Sequence, residues 1–264
     1  MWHIVTQYHP KKAEQTKKIV NLKTNLVNKR VLVTGGALRI GAEIVKAFAS
    51  EGAKVAFSYR KSSQSAKELL REIGGKRVGH TAFKLDLSEK IPKDIFTQIG
   101  GADILINSAS VYHPEKLAFE SEKSINEQIT VNLLSPIILS KLFARQNIKS
   151  GCIINIVDCR ISGLDRADGS YWLSKKSLES ATKMLAVQLA PKIRVNAVAP
   201  GAILPPSDGK GFSARAAANA TPLKRLPSVS DLLETILFVA QNNSITGQTV
   251  FVDCGRHLGA QRKI

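Results

Sequence analysis

Acid is scarce in this chain: 21 Asp and Glu face 38 Lys and Arg, a formal charge of +17. Such an excess attracts anions in general, and nucleic acid is the usual first candidate. No zinc-finger spacing, RNP-type run or basic heptad accompanies it, so charge alone supports that reading. The excess is also uneven, because residues 1–30 hold seven Lys or Arg against Glu14 alone, leaving about +11 on the remainder. A basic surface around a phosphorylated ligand and an anionic substrate explains part of that remainder. Cysteine is scarce too. Cys152, Cys159 and Cys254 are odd in number and lack metal-ligand spacing, which argues against a metal site and reads as reduced thiols in a cytoplasmic protein. No apolar run nears the roughly 18 residues that a membrane span needs. Residues 1–28 lack the apolar centre of a signal peptide and are expected to form a basic, flexible, dispensable extension. Internal repeats and linker-like Pro/Gly/Ser stretches are missing as well, which leaves residues 29–264 as one domain.

What is present is an alternation. Short runs rich in Val and Ile fall at 31–34, 54–58, 81–85, 103–107, 151–157, 194–199 and 249–253. Their length and continuous apolarity fit strands buried on both faces. Between the first two, Ile40, Ile44 and Phe48 recur every four residues, the stripe of an amphipathic helix. A second helical pattern covers 174–189 and stops before Pro191, which cannot continue it. Strands alternating with helices predict an α/β fold: a single doubly wound Rossmann domain, its seven-stranded parallel sheet covered by helices on both faces.

Directly after the first strand stands Thr34-Gly35-Gly36-Ala37-Leu38-Arg39-Ile40-Gly41, then a helix. Glycines there let the backbone turn tightly and approach a pyrophosphate seated on the helix N-terminus. The strand–turn–helix setting makes this a dinucleotide site, with Gly35, Arg39, Ile40 and Gly41 at the phosphates. The second strand ends in Ser58-Tyr59-Arg60-Lys61-Ser62. An NAD site usually carries an acid at this position for the ribose 2′-hydroxyl. Here cations and a hydroxyl stand instead, and with Arg39 they favour the 2′-phosphate of NADPH.

Tyr171 and Lys175 are four residues apart, on one face of a helix. A cation so placed is expected to lower the phenol's pKa and make it a usable acid. With these motifs in order, the sequence resembles the short-chain dehydrogenase/reductase family from about residue 29 to 258. The resemblance also covers Asp86-Leu87, near the adenine in that family, and Asn107-Ser108-Ala109-Ser110 after the fourth strand. It extends to Asn132, at the family's structural and proton-relay Asn, and to Pro200-Gly201 beside the nicotinamide.

Three departures narrow the resemblance to the pteridine reductase branch. Arg39 replaces the second glycine of the turn, and Asp158 stands thirteen residues before Tyr171 where most members have Ser. Ser108-Ala109-Ser110 replaces Asn-Ala-Gly, with Tyr112 shortly after. The C-terminal Asp253-Cys254-Gly255-Arg256-His257-Leu258 also looks like bacterial members of that branch, although Cys254 stands where Gly is usual. The resemblance implies NADPH-dependent reduction of a pterin, dihydromonapterin or dihydrofolate by a homotetramer. Asp158, Tyr171, Lys175 and Asn132 would be catalytic. Arg39, Ser110, Tyr112, Asp158 and Tyr171 would touch substrate, with Tyr112 stacking the pterin on the nicotinamide. Lys175, Ser108, Ala109 and Ser110 would contact cofactor. His113 reads as a rim residue, and 203–221 as a mobile lid. The rivals are a carbonyl reductase of the same family and a non-catalytic NADPH-binding protein.

Overall fold

The computed structural model describes residues 26–164, 168–205 and 212–259. Most of the expected extension, 1–25, and residues 206–211 of the expected lid lie outside the described residues. Seven strands are present: β1 (Arg30–Val33), β2 (Lys54–Tyr59), β3 (Thr81–Lys84), β4 (Ile104–Asn107), β5 (Gly151–Ile156), β6 (Ile193–Pro200) and β7 (Thr249–Val252). Every strand end lies within one residue of the apolar run that predicts it. All neighbours pair in parallel, in the order β3-β2-β1-β4-β5-β6-β7. The helices are α1 (Arg39–Ser50), α2 (Ser63–Glu72), α3 (Ile95–Gln98), α4 (Glu122–Ile129), α5 (Ser135–Ala144), α6 (Gly169–Gln188), α7 (Ala214–Asn219), α8 (Val229–Gln241) and α9 (Arg256–Gly259).

Successive side chains of a strand point to opposite faces, and the two halves of the core follow that rule. Val31, Val33, Ile104, Ile106 and Ile154 meet Ile44, Val45 and Phe48 of α1 and Leu232, Ile236 and Val239 of α8. Leu32, Leu105 and Ile153, one residue out of step, meet Leu139, Leu142 and Phe143 of α5. Fully burying one such side chain stabilises by about 1.5–3 kcal/mol. Helices therefore cover both faces of one doubly wound sheet.

One helix begins earlier than its periodicity predicts. Helix α6 starts at Gly169, five residues before its apolar pattern. Its first turn is held by the buried carboxylate of Glu120, which accepts from Ser170 N at 2.9 Å and from Ser170 Oγ. Helices α4 and α5 are one continuous rod interrupted by a π turn, Thr130–Leu134.

The boundary at residue 28 needs moving. Leu26 is 1% exposed and belongs to the α1–α8 side of the core. Its carbonyl accepts from Lys29 N, while Asn28 N donates to Gly52 O. Residues 26–28 are thus part of the folded body. Leu26→Ala should cost about 2–5 kcal/mol of stability, read as a lowered urea midpoint at unchanged slope.

Candidate active site

In an all-parallel sheet the strand carboxyl ends share one edge, and a ligand crevice opens where the order reverses. Here that point lies between β1 and β4, and a cleft of about 660 Å³ occupies it. The loops after β1 to β6 all contribute to its wall.

At the β1 end the glycine turn is shaped by contact. A Cβ on Gly41 would lie 2.2 Å from the Gly35 carbonyl oxygen, and one on Gly35 would lie 2.9 Å from Ala109 Cα. No side chain caps the N-terminus of α1, and its first turn has no acid. Helix α8, by contrast, carries a full capping box of Ser228 and Asp231. An uncapped helix start aimed into a cleft lined by glycine suits a pyrophosphate. Arg39 has φ +53°, the left-handed region that a glycine would enter freely. It spans the cleft mouth, donating from Nη2 to Pro205 O at 2.7 Å. Thr34 Oγ1 ties the turn to the loop after β4 by accepting from Ser108 N and Ala109 N, each at 3.1 Å.

Tyr59, Arg60, Lys61 and Ser62 line the β2 end, with Asp86 and Leu87 beyond them. Arg60 pairs with Glu127 at 2.9 Å, and Glu127 also meets His113 Nε2 at 3.1 Å. Asp86 accepts from Ser88 N and Oγ, and those bonds hold its carboxyl below the usual range. Ser108, Ala109, Ser110, Pro200 and Gly201 line the far wall. These lining residues suit a dinucleotide: a glycine cradle, an open helix start, and cations in place of an acid at the end of β2, Arg60 among them being paired with Glu127.

The chemistry-bearing groups converge beyond β4 and β5. Tyr171 Oη donates to Asp158 Oδ2 at 3.1 Å. Tyr112 meets Tyr171 edge-on, ring centroids 4.8 Å apart, and its hydroxyl donates to Asp168 Oδ1 at 2.7 Å. Lys175 is buried one turn after Tyr171, donating to Ile156 O at 3.0 Å. Arg160, which the sequence reading passes over, forks Asp158 through Nε and Nη2 and reaches Asp168 through Nη1. A lone arginine in a turn looks like a surface residue. The signal that could have singled it out is its place two residues after Asp158 and eight before Asp168.

Three expectations need correction. The Tyr171 phenol is not made more acidic: burial and the Asp158 charge push its pKa well above the ordinary value, against the opposing pull of Arg160. Lys175 Nζ lies 5.9 Å from that ring's centroid, and burial lowers its own pKa to about 8. Asn107 is not in the cleft wall. It is 2% exposed and donates from Nδ2 to Asn155 Oδ1 inside the sheet. Asn132 is fully buried in the π turn. Its amide is engaged by Ser110 Oγ, Val111 N, Val111 O and Ser174 Oγ, so it holds the loop after β4 rather than facing substrate. Asp158 is driven up by burial but more strongly down by the charge and hydrogen bonds of Arg160, and stays ionised. The paired site is thus an acceptor-only carboxylate beside a protonated phenol. Among the described residues no group of His, Cys, Asp and Glu could hold a metal ion, and no helix is long and apolar enough to cross a membrane.

Residues 36–257 match the family profile described as enoyl-(acyl carrier protein) reductase. The chain belongs to the short-chain dehydrogenase/reductase family. It is 32% identical to L-xylulose reductase of Bos taurus, covering 87% of this chain and 97% of that protein. It is 30% identical to the 3-oxoacyl-acyl-carrier-protein reductase FabG of Staphylococcus epidermidis, over 88% of this chain and all of the relative. Among solved structures it resembles FolM alternative dihydrofolate reductase 1 from Brucella canis complexed with NADP. That match is 34% identical, has a TM-score of 0.80, and covers 89% of this chain and 96% of the other.

Two outcomes follow from this geometry. Asn132→Leu leaves the half-buried Val111 N–H without its partner, at up to about 1–3 kcal/mol for such a group, and should lower the thermal midpoint. Lys175 should titrate near 8 by 15N NMR. Because the Asp158 charge raises that value, Asp158→Asn should move it lower still.

Proposed function

We propose that this short-chain reductase uses NADPH to reduce a pterin, transferring hydride to a ring C=N of a dihydropteridine, dihydromonapterin or dihydrofolate. The observation that carries the reading is Asp158 paired with Tyr171 and held ionised by Arg160. An ionised carboxylate only accepts hydrogen bonds. It repels the negative charge that builds on a carbonyl oxygen during ketone reduction, whereas the amide and amino N–H groups of a pterin match it. The half-exposed ring of Tyr112 offers a flat face beside the same pair, suited to stacking a planar heterocycle at small entropic cost. Likeness to a FolM dihydrofolate reductase structure supports the same reading.

NADPH, when bound, supplies the hydride. Gly35, Ile40, Gly41 and the open start of α1 would hold its pyrophosphate. Arg39, Arg60, Lys61 and Ser62 would face the 2′-phosphate, with Asp86 and Leu87 beside the adenine. Ser108, Ala109, Ser110, Lys175, Pro200 and Gly201 would frame the nicotinamide end. Tyr171 keeps its proton across the neutral range and delivers it to the ring nitrogen. Asp158 would give up the Tyr171 hydrogen bond as the substrate arrives and then accept from a substrate N–H or from a water through which bulk solvent returns a proton to the Tyr171 phenolate. Holding the reacting groups in one arrangement lowers the barrier by several kcal/mol in favourable cases, about 7–11 at the limit. Leu134 at the end of the π turn, Ile138 of α5, and Met184 and Val187 of α6 are exposed, apolar surface that a homotetramer would cover.

Identity to L-xylulose reductase favours a second reading, reduction of a sugar or other ketone. The two separate cleanly. NADPH oxidation followed at 340 nm against reduced pterins, dihydrofolate and ketones should show pterins or folate preferred. Asp158→Ala should cut that turnover by about 10²–10⁴, and Asp158→Ser should not restore it. Preference for ketones, or full pterin activity in Asp158→Ser, would sink the pterin reading. NADPH should also bind at least about tenfold tighter than NADH, roughly 1.4 kcal/mol. Equal dissociation constants would refute the assignment of the β2 end.

A further inference from the structure

The pair Asp158 and Tyr171 and the ring of Tyr112 come from three separate segments, yet one side chain touches all of them. Arg160 sits in the short 3-10 turn Cys159–Ser162, whose start is capped by Asp158 itself, Oδ1 accepting from Arg160 N at 2.9 Å. The turn is locked to α6 by Trp172, whose Nε1 donates to Arg160 O at 3.0 Å and Gly163 O at 2.9 Å. From this fixed base the guanidinium grips both oxygens of Asp158, at 3.0 and 2.9 Å, in a parallel fork. Its third nitrogen reaches Asp168, which in turn accepts the Tyr112 hydroxyl at 2.7 Å. Its Cζ lies 5.1 Å from the Tyr171 ring centroid and 5.6 Å from that of Tyr112.

We propose that Arg160 is the positioning residue of this cleft, fixing the Asp158 carboxylate against Tyr171 and, through Asp168, the ring of Tyr112. The inference rests on the pterin reading only where it takes Tyr112 to face substrate. A planar fork fixes the orientation of a carboxylate as well as its charge, which a lysine ammonium does not. The groups around Asp158 set the direction of any pH effect. Tyr171 and Lys175 face it from α6 and Cys159 and Arg160 from its own turn, while Tyr112, in the loop after β4, and Asp168, on the approach to α6, act on Arg160. Asp253 and Arg256, beyond β7, act on the adjoining Cys159. Half-buried as it is, Asp158 without the guanidinium would take up a proton at higher pH and become a donor as well as an acceptor.

The test compares full-length Arg160→Gln, Arg160→Lys and Asp168→Asn with the parent, using dihydropterin and NADPH. In Arg160→Gln the acid limb of kcat/KM should move up by about one pH unit or more. Its KM for the pterin should rise roughly tenfold while the Kd for NADPH, read by fluorescence titration, changes by less than about twofold. Arg160→Lys should restore the acid limb but not KM. Asp168→Asn should raise KM and leave the acid limb in place. An unchanged limb and KM in Arg160→Gln would reduce Arg160 to a structural ion pair and overturn the proposal. If Arg160→Gln does not fold, an unchanged KM in both Arg160→Lys and Asp168→Asn overturns it equally. A parent that reduces ketones and no pterin defeats the proposed function instead. The limb shift, measured with the ketone, would still decide whether Arg160 governs Asp158.

Discussion

Parallel pairing is the constraint from which the rest of this molecule follows. Seven strands running one way bring every strand-to-helix turn to a single edge, and the cleft is assembled from those turns. Thr34 hydrogen-bonds the first of them to the loop after β4, so that the phosphate cradle and the loop bearing Tyr112 are positioned together. The remaining polar contacts refine that frame. Asn132 fastens the loop from below, and Glu120 fastens the start of α6, which carries Tyr171 and Lys175.

Electrostatically the site is built on opposition. Burial pushes the Asp158 pKa up, and the Arg160 fork more than offsets it. The same carboxylate makes Tyr171 a weaker acid and Lys175 a stronger base than either would be without it. A protonated phenol and an ionised carboxylate therefore coexist at hydrogen-bond distance near neutrality. The distribution of donors and acceptors offered to a ligand is set by one guanidinium.

Strands were legible because a buried parallel strand must be apolar along its whole length, and little else in this chain is. The glycine turn was legible for a related reason: few residue types tolerate its contacts, and even the exception, Arg39, occupies the expected left-handed conformation. What escaped depends on partners far away in sequence. The first turn of α6 is completed by Glu120, fifty positions before Ser170. Leu26 looks like part of a basic tail until Phe48 and Ala53 are brought into the same core cluster. Asn107 carries a family motif, but its side chain faces Asn155 across the sheet. The acidity of Tyr171 went the other way because the cation four residues on lies 5.9 Å from the ring centroid, whereas the Asp158 carboxylate meets the phenol directly.

The π turn at Thr130–Leu134 has a consequence for registry. Each added residue rotates a helix by about 100°, so the segments on either side of this wide turn are out of phase with an uninterrupted α-helix. Upstream, Glu127 and Gln128 are aimed at Arg60, His113 and Ser170. Downstream, Leu139, Leu142 and Phe143 are aimed at the sheet. A straight helix of this sequence could satisfy one set of neighbours or the other. The wide turn lets a single rod serve a polar site with its first half and an apolar core with its second.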